Sequence, residues 1–425
     1  MRVLFATIPE KTIFLPSVPL AWALRTAGHE VRVASQPKFA DVITQAGLTA
    51  APVGRDADFW WDVKLDPKLL EQARAGLPMP WKVAEDRTDV TWESLLDAYG
   101  GTVPHEQKPH NFPLIAGMVD FARHWRPDLV IWEPFTSAGA IAAKACGAAH
   151  ARLLWSVDVF GVTREHFLRL QAEQPPEERA DPLADWLAGY GRKYGFDFTE
   201  DMITGNFTIH QFPTSIGVEA DLHYLRTRYV PYGGPAVVPK WLWTPPRRPR
   251  VALTLGTTAT EHFGGYAANV QDILDALADL DIEVVATIAE SEQAKLRRVP
   301  DNARLVSYVP LHALVPTCTA VIHHGGAGTL STVALHGIPQ LALPYHFEGP
   351  LISRRLAEHG AGLAIPSALG TGPAVRKALL RLLNDPVFRD RATGLRNEVR
   401  ALPTPNELVP QLEELTAKYR SRETP

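Results

Sequence analysis

The octapeptide HHGGAGTL, residues 323–330, places two histidines, three glycines and a threonine directly after an apolar, strand-like stretch. A glycine-rich turn between a strand and a helix leaves backbone N–H groups and the positive helix end pointing at one spot, which suits a diphosphate. A histidine at the strand end would add a hydrogen bond to the same anion. The alternatives are a purely structural turn and a metal site, although no third metal ligand follows at a recognisable spacing.

Three more loops in the same half of the chain follow strand-like stretches. LGTTAT (255–260) offers a glycine and hydroxyls, and PYHFEG (344–349) offers a carboxylate for sugar hydroxyls. SYVP (307–310) places Tyr308 where its ring could stack on a nucleobase, with a packing role as the alternative. Ligands of open α/β sheets bind at the carboxyl ends of strands, so we expect these loops to meet in one site. Its predicted residues are Gly256, Thr257, Thr258, Tyr308, Val309, His323, His324, Gly325, Gly326, Gly328, Thr329, His346 and Glu348.

Strand-like and helix-like stretches alternate through both halves of the chain and must position these loops. Strands separated by helices of this length form parallel sheets with right-handed crossovers. The strand-like stretches are 2–7, 29–35, 128–132 and 150–155 in the first half and 250–256, 282–289, 303–309, 320–323 and 340–344 in the second. The predicted fold is therefore α/β, with two doubly wound, Rossmann-like domains.

A linker divides the two domains. The segment PPRRPR, 245–250, carries three prolines and three arginines and cannot form a regular element. The predicted bounds are 1–235 for the first domain, 236–250 for the linker, 251–402 for the second domain and 403–425 for a C-terminal helix that crosses back to the first.

Length and composition indicate a globular protein. The 425 residues fit two domains of about 200 residues each. A net charge of −4 gives no broad attraction to nucleic acid or to an anionic membrane, and no apolar run approaches the ~18 residues of a membrane helix. Cys146 and Cys318 lie far apart in apolar stretches, and the chain opens on a strand pattern rather than a signal peptide. We therefore expect a cytoplasmic protein with reduced cysteines.

Two long segments interrupt the alternation of strands and helices. Residues 51–115 are rich in tryptophan, proline and charge, and residues 157–235 contain the charged, helix-like stretch 174–195. Insertions of this length are usually functional loops or lids. Surface decoration without a role in binding is the alternative.

Several of these motifs resemble the nucleotide-sugar-dependent glycosyltransferases of family 1, which have two facing Rossmann-like domains, the GT-B fold. The strings that carry the resemblance are MRVLFAT, VPLAWALRTAGHEVRVASQP, WRPDLVIWEP, HARLLWS, RYVPYGGPAVVPKWL, HHGGAGT and HGIPQLALP. They span essentially the whole chain, and the N-terminal and linker strings are typical of the branch that attaches deoxysugars to macrolide and anthracycline antibiotics. The resemblance implies that HHGGAGTL is the donor diphosphate cradle. His323 would reach the phosphate beside the amides of Gly328 and Thr329, with His324 the less favoured candidate.

The chain departs from the family at the catalytic base. Most relatives carry a histidine in the first loop, and an ungapped count back from Gly28-His29 places Ile13 at that position. One explanation is another base, for which the candidates at strand ends are Glu10, Lys11, Glu133 and Asp158. A second is an acceptor that needs little help, such as a phenol or its ring carbon. A third is an inactive protein.

The pair that binds sugar hydroxyls differs as well. Many relatives have an acidic residue followed by glutamine, whereas this chain has Glu348-Gly349. Loss of the amide fits a sugar that lacks hydroxyls, because an unmatched buried polar group would be unfavourable. Drift at an exposed position is the alternative.

The resemblance implies a metal-independent, inverting glycosyltransferase in antibiotic biosynthesis that needs no cofactor. The donor would be a dTDP-deoxysugar, and the acceptor a polyketide held by the first domain at Trp60, Trp61 and Trp81, through oxygen or carbon. Relatives often use a helper protein resembling a haem-less cytochrome P450, which we place at residues 170–195, and a homodimer is left open. The alternatives are a nucleotide-sugar epimerase of similar fold and a catalytically silent nucleotide-sugar-binding partner.

Overall fold

The first of two parallel sheets is built from the N-terminal half of the chain. The computed structural model describes residues 1–58, 60, 76–86 and 90–421. The strands of this sheet are β1 (Arg2–Ala6), β2 (Glu30–Ser35), β3 (Ala50–Pro52), β4 (Leu129–Trp132), β5 (Ala149–Leu153), β6 (Phe207–His210) and β7 (Tyr224–Arg226). They lie in the order β3-β2-β1-β4-β5-β6-β7, and every neighbouring pair is parallel. The strand order reverses direction between β1 and β4.

The second sheet is built from the C-terminal half. Its strands are β8 (Arg250–Thr254), β9 (Glu283–Thr287), β10 (Ala303–Val306), β11 (Ala320–His323), β12 (Gln340–Ala342) and β13 (Gly362–Ala364). Their order is β10-β9-β8-β11-β12-β13, again parallel throughout, with the reversal between β8 and β11. The two reversal points are where open α/β sheets place ligands.

Helices cover both faces of each sheet, which explains why the central strands are continuously apolar. In β1, Leu4 and Ala6 enter one hydrophobic core while Val3 and Phe5 enter another. In the first half the α-helices are Lys11–Phe14, Val18–Thr26, Ala40–Gln45, Trp92–Thr102, Lys108–Asn111, Ile115–Trp125, Ser137–Cys146, Val159–Ala172, Pro182–Tyr194 and Asp201–Thr204. In the second half they are Thr258–His262, Val270–Leu277, Glu290–Gln293, Leu311–Leu314, Ala327–His336, Gly349–His359, Gly372–Asn384, Pro386–Ala401 and Pro405–Tyr419. None of the helices in these described ranges is long and apolar enough to span a bilayer.

The predicted α/β fold with two doubly wound sheets is confirmed. The two segments predicted to interrupt the alternation of strands and helices, however, contain strands of the first sheet. Segment 157–235 contributes β6 and β7 as well as helices, and β3 lies at the start of segment 51–115. These strands are only three or four residues long. The last strand of the first sheet ends at Arg226 and the first strand of the second sheet begins at Arg250.

The last helix, Pro405–Tyr419, packs against the first sheet rather than the second. Leu408, Leu412 and Leu415 lie in the same core as Val3 and Phe5 of β1. The chain thus begins and ends in the first half, and it passes between the halves twice.

Candidate active site

Two glycine-containing loops meet around one imidazole ring at the reversal point of the second sheet. A Cβ atom on Gly256, after β8, would lie 2.7 Å from His324 Cε1. A Cβ atom on Gly326, after β11, would lie 2.3 Å from His324 Nε2. Gly256 and Gly325 have positive φ angles of 74° and 80°, which glycine adopts without strain. The two predicted loops are therefore brought together, and glycine leaves room for the His324 ring.

The helix that follows this turn presents unbonded amides. Helix Ala327–His336 begins after Gly326, and no side chain caps its N-terminus. The first-turn N–H groups of Gly328 and Thr329 are then available to an anion. Gly328 is also tightly enclosed, because a Cβ atom there would lie 3.1 Å from the hydroxyl oxygen of the buried Tyr229. We call these two loops and this helix end the donor cradle.

His323 is part of the sheet rather than of the cradle surface. It is fully buried, its Nε2 lies 2.9 Å from Gln340 Oε1, and its Nδ1 accepts the Gly325 N–H at 3.0 Å. Burial, followed by the neighbouring His324, lowers the pKa of His323 to about 3, so the ring is neutral. Both ring nitrogens are engaged within the protein, which argues against the predicted phosphate contact of His323.

His324 is the histidine that faces the cradle. The side chain is partly exposed and lies between Gly256 and Gly326. Burial lowers the pKa of His324 to about 4, a hydrogen bond to the backbone of Thr254 opposes that shift, and His346 adds to it. The neutral ring can donate one N–H group to an anion. The less favoured candidate is therefore the better placed one.

Tyr308 is the predicted nucleobase residue. It is 53% exposed, and its hydroxyl is 3.4 Å from the carbonyl oxygen of Gly233, shortly before the predicted linker. The side chain of Val309 is buried in a hydrophobic core with Leu314 and Val333. Only the Tyr308 ring is thus open to a base, and Val309 can contribute only its backbone.

Glu348 lies where the two halves of the molecule meet. It lines a narrow crevice together with Ser156, Trp155 and Phe160 of the first half. Burial raises the pKa of Glu348. Phe347, beside it, has a φ of 41°, which is strained for a side chain of this size, and its ring lies 6.2 Å from that of Phe160. The predicted sugar-binding carboxylate therefore faces acceptor-half aromatic rings.

A larger pocket opens at the reversal point of the first sheet. Ile13 and Glu133 both line it, and among the described residues of the lining Glu133 is the one with an acidic or basic side chain. The other lining residues are Phe5, Ala6, Thr7, Pro16, Ser17, Ile131, Trp132, Leu153, Leu154, Trp155 and Gln211. We call this space the acceptor cavity.

Glu133 is a buried carboxyl group held in a fixed orientation. Its Oε2 accepts the Phe135 N–H at 2.8 Å, and its Oε1 accepts the Ile8 N–H at 3.2 Å and the Thr136 hydroxyl. Burial raises the pKa of Glu133 to about 7, although these hydrogen bonds oppose the shift. A carboxyl group that titrates near neutral pH beside a cavity has the properties of a general base.

Unlike Glu133, Asp158 forms a buried ion pair with an arginine. It is fully buried, with Oδ2 2.5 Å from Arg152 Nη2 and 2.7 Å from the Tyr224 hydroxyl. Its Oδ1 accepts the Gly161 N–H at 2.7 Å and so caps helix Val159–Ala172. This ion pair and cap argue against Asp158 as a catalytic base.

The other base candidates lie outside the acceptor cavity. Glu10 Oε1 accepts two hydrogen bonds from Thr12, while Oε2 accepts the Trp60 indole N–H at 3.0 Å and lies 3.7 Å from His262 Nε2. The carboxylate thus faces the second half of the molecule. Lys11 is exposed at the start of helix Lys11–Phe14.

The predicted acceptor-binding tryptophans are dispersed. Trp60 stacks on His262 of the second half, with ring centroids 4.8 Å apart. Trp81 is 3% exposed and packs on Phe160 at 4.7 Å, so it supports the aromatic rings of the cleft rather than forming its surface. Trp61 lies outside the described residues. In the described ranges no group of three or more His, Cys, Asp or Glu side chains could hold a metal ion.

Family models match both halves of the chain. The erythromycin biosynthesis protein CIII-like N-terminal domain matches residues 22–256, and the corresponding C-terminal domain matches residues 271–415. The chain belongs to the erythromycin biosynthesis protein CIII-like family of glycosyltransferases. It is a glycosyltransferase with the GT-B fold.

Individual relatives of this CIII-like glycosyltransferase match along nearly their whole length. The 10-deoxymethynolide desosaminyltransferase of Streptomyces venezuelae is 46% identical, covering 99% of this chain and 98% of its own. The aclacinomycin-T 2-deoxy-L-fucose transferase of Streptomyces galilaeus is 42% identical, covering 99% and 97%. The crystal structure of glycosyltransferase VinC in complex with dTDP matches with a TM-score of 0.87 at 39% identity, covering 98% and 100%. These three matches are to glycosyltransferases, and they do not support an epimerase or a silent binding partner.

Sequence reasoning missed several residues of the CIII-like glycosyltransferase site. His262 and Phe263 follow the first donor loop and contact Trp60, and Gln211 and Trp155 line the acceptor cavity. Trp155 ends the strand-like stretch 150–155, so the strand-end rule that selected Glu133 could also have found it. Gln211 follows β6, which was not predicted, and no local signal marks it.

Proposed function

We propose that this glycosyltransferase transfers a deoxysugar, with inversion, from a dTDP donor to an oxygen or ring carbon of an apolar polyketide aglycone in antibiotic biosynthesis. The observation that carries the proposal is the position of the donor cradle and the acceptor cavity at the reversal points of two sheets, with Glu348 against Trp155 between them. The names of the relatives support a deoxysugar, and the VinC complex supports dTDP.

The diphosphate binds in the donor cradle. The N-terminal amides of helix Ala327–His336 and the His324 imidazole donate hydrogen bonds to its oxygens. These donors also stabilise the negative charge that develops as the bond between the sugar and the phosphate breaks. Charge stabilisation of this kind supports a reaction that needs no metal ion and no cofactor beyond the donor itself.

Glu133 is the general base of the proposed reaction. It removes the proton of the acceptor as the oxygen or ring carbon attacks the anomeric carbon, and dTDP leaves from the opposite face. Ile13, in place of the usual histidine, keeps the cavity apolar and so favours the raised pKa of Glu133. The base is thus a carboxylate from the end of β4 rather than an imidazole from the first loop.

Aromatic rings form the wall that receives the aglycone. Phe135 stacks on Trp155 at 5.3 Å, and Phe160 and Phe347 pack beside them. An apolar wall excludes water from the cleft and so protects the donor from hydrolysis. Glu348 lies at the edge of this wall, where it can accept a hydrogen bond from a sugar hydroxyl.

The proposal extends to partners and location. The helper protein would contact segment 170–195, which includes the charged helix Pro182–Tyr194, and a homodimer is a further proposal. The free thiols of Cys146 and Cys318 support a reducing, cytoplasmic location.

A product screen tests the proposed function. The protein is incubated with dTDP-deoxysugars and macrolactone or anthracyclinone aglycones, with and without a helper protein, and the products are identified by mass spectrometry. We expect a sugar-aglycone adduct that forms only when both substrates are present. Acid treatment then distinguishes the linkage, because an O-glycoside hydrolyses and a C-glycoside survives. Isomerisation of the donor without any acceptor, or donor binding without turnover, would contradict the proposal.

A further inference from the structure

The two halves of the molecule make a polar contact beside the donor cradle that the proposed reaction does not use. Glu10, from the loop after β1, reaches His262 across the cleft, with Oε2 3.7 Å from Nε2. Both side chains are mostly buried, with 8% of Glu10 and 18% of His262 exposed. The ring of Trp60 stacks on His262, and its N–H donates to the same Glu10 oxygen. Trp60 therefore contacts both members of the pair, His262 and Glu10.

On the donor side, the contact is attached directly to the cradle. His262 is the last residue of helix Thr258–His262, which begins immediately after Gly256 and Thr257. A ligand that moves or orders this loop must therefore also move or order His262, because only one short helix separates them.

On the acceptor side, the contact is attached to the wall of the acceptor cavity. The Oε1 atom of Glu10 accepts the Thr12 N–H at 3.1 Å and thereby caps helix Lys11–Phe14. Ile13, on this helix, lines the acceptor cavity together with Glu133. A shift of the Glu10 carboxylate therefore changes the position of a residue that faces the reaction.

Bound diphosphate would strengthen the contact. A nearby anion favours the protonated form of an imidazole, and the imidazolium is attracted to the Glu10 carboxylate. Glu261 Oε2, 3.9 Å from His262 Nε2, acts in the same direction, whereas a protonated His346, whose ring centroid lies 5.9 Å from that of Trp60, would act against it. Occupancy of the cradle thus changes the energy of a contact that holds the cavity wall.

We propose that Glu10 and His262 are positioning residues that couple occupancy of the donor cradle to the order of helix Lys11–Phe14, and through Ile13 to the acceptor cavity. This inference rests on the proposed function only in taking dTDP as the ligand of the cradle. The proposal gives Glu10 a role other than that of a general base. It also gives a role to His262, which the sequence motifs did not single out.

Hydrogen exchange with dTDP as the only added ligand tests the coupling. The informative amides are those of Phe14 and Leu15, which donate to the carbonyl oxygens of Glu10 and Lys11. In the wild-type protein we expect dTDP to slow their exchange by roughly 5–150-fold, the usual range of coupling between sites. In Glu10→Gln and in His262→Phe the factor should fall below about 2, and the Kd for dTDP, measured by calorimetry, should rise by up to the factor that is lost, because coupling between two sites is reciprocal.

Two features of the variants keep the test decisive. His262→Phe retains an aromatic ring on Trp60 and leaves the Glu10 cap intact, so it separates loss of coupling from loss of local structure. Glu261→Gln is the matched control, because it removes a carboxylate near His262 that belongs to the same helix and cannot join the two halves. Its protection factor should match that of the wild type.

The possible outcomes separate the coupling from the proposed function. Bound dTDP that leaves Phe14 and Leu15 unprotected in the wild type, or equal protection in His262→Phe, would overturn the coupling and leave the transfer reaction standing. Failure of the wild-type protein to bind dTDP at all would overturn both.

Discussion

The donor cradle and the acceptor cavity both lie at the reversal point of a parallel sheet, but they are built from different parts of the chain. The cradle consists mainly of backbone: two glycine turns and one helix end, with a single imidazole between them. The acceptor cavity consists of side chains from β1, β4, β5 and the loops that follow them and β6. The cradle's main segment is eight consecutive residues, whereas the cavity gathers residues that lie some 200 positions apart, from Phe5 to Gln211.

This difference matches what each site would bind in the proposed reaction. Every nucleoside-diphosphate sugar carries the same diphosphate, and backbone amides bind it without regard to the rest of the donor. An apolar aglycone has few polar groups, so its recognition depends on the shape and polarity of particular side chains. We therefore expect the rate of transfer to depend on several side chains in the acceptor cavity but mainly on the His324 ring in the donor cradle.

The largest effect is expected from Glu133→Gln in the acceptor cavity. The amide keeps the size of the side chain but cannot take a proton, so the rate of transfer should fall by roughly 10²–10⁴-fold. In the wild type, kcat/KM should rise with pH through the pKa of Glu133, about 7, because only the ionised carboxylate accepts a proton. The measurement is kcat/KM against pH for both proteins. A variant that keeps the wild-type rate and the same acid limb would show that the base lies elsewhere.

Ionisation of Glu133 should raise the activity but lower the stability of the folded protein. The pKa of Glu133 is raised in the folded protein, from 4.5 to about 7, so the folded state binds more protons than the unfolded state between these values. The free energy of unfolding should therefore decrease as pH rises through this window. Denaturant titrations of the wild type and Glu133→Gln, compared over the same range, isolate this contribution and serve as the control for the kinetic experiment.

A smaller effect on the rate is expected from His324→Ala in the cradle. Loss of one donor to the leaving diphosphate should lower kcat by roughly 10²–10³-fold. His323→Ala is the comparison, because the neighbouring ring is buried and bonded to Gln340. It should instead lower the free energy of unfolding by about 1–3 kcal/mol, by leaving Gln340 and the Gly325 N–H unpaired. Equal losses of kcat with unchanged stability in the two variants would return the phosphate role to His323.

The smallest effect is expected from Ile13→His, which restores the usual histidine. If Glu133 is the base, kcat at pH 8 should change by less than about threefold, because the carboxylate is already ionised there. The acid limb of the pH profile should move to lower pH, since a polar or charged ring in the cavity favours the ionised carboxylate and lowers the pKa of Glu133. Ile13→Val keeps the cavity apolar and should leave the limb unchanged. A gain in rate of tenfold or more would identify Ile13 as a defect in catalysis.

The sequence predicts the central strands of both sheets but not β3, β6, β7 and β13. β1, β4, β8 and β11 are buried on both faces, and their continuous apolar residues mark them clearly. β6 reads Phe-Thr-Ile-His and β7 Tyr-Leu-Arg, and among their polar side chains Tyr224 pairs with Asp158, while Arg226 and His210 pair with Glu219. β6 is as long as β4 and β11, so what distinguishes the predicted strands is their apolar composition, which the mixed polar and apolar residues of β6 and β7 do not show.

The candidate site shows the same division between local and distant information. The glycine cradle was predicted because its conformation depends on adjacent residues. The choice between His323 and His324 was not, since neighbouring strand residues point to opposite faces and the deciding partner, Gln340, comes from another strand. Likewise, Asp158 resembles Glu133 in sequence position, and only its contacts with Arg152 and Tyr224 show that it serves the fold.

The return of helix Pro405–Tyr419 to the first sheet makes the second half of the molecule an insertion within the first. During synthesis, the first sheet emerges from the ribosome long before Leu408, Leu412 and Leu415, which complete its core. The second sheet, by contrast, has all of its strands and most of its helices once residue 401 has emerged. Domains generally fold as units, so the second half can fold while the first still waits for its last helix. We therefore expect the half that is made first to finish folding last.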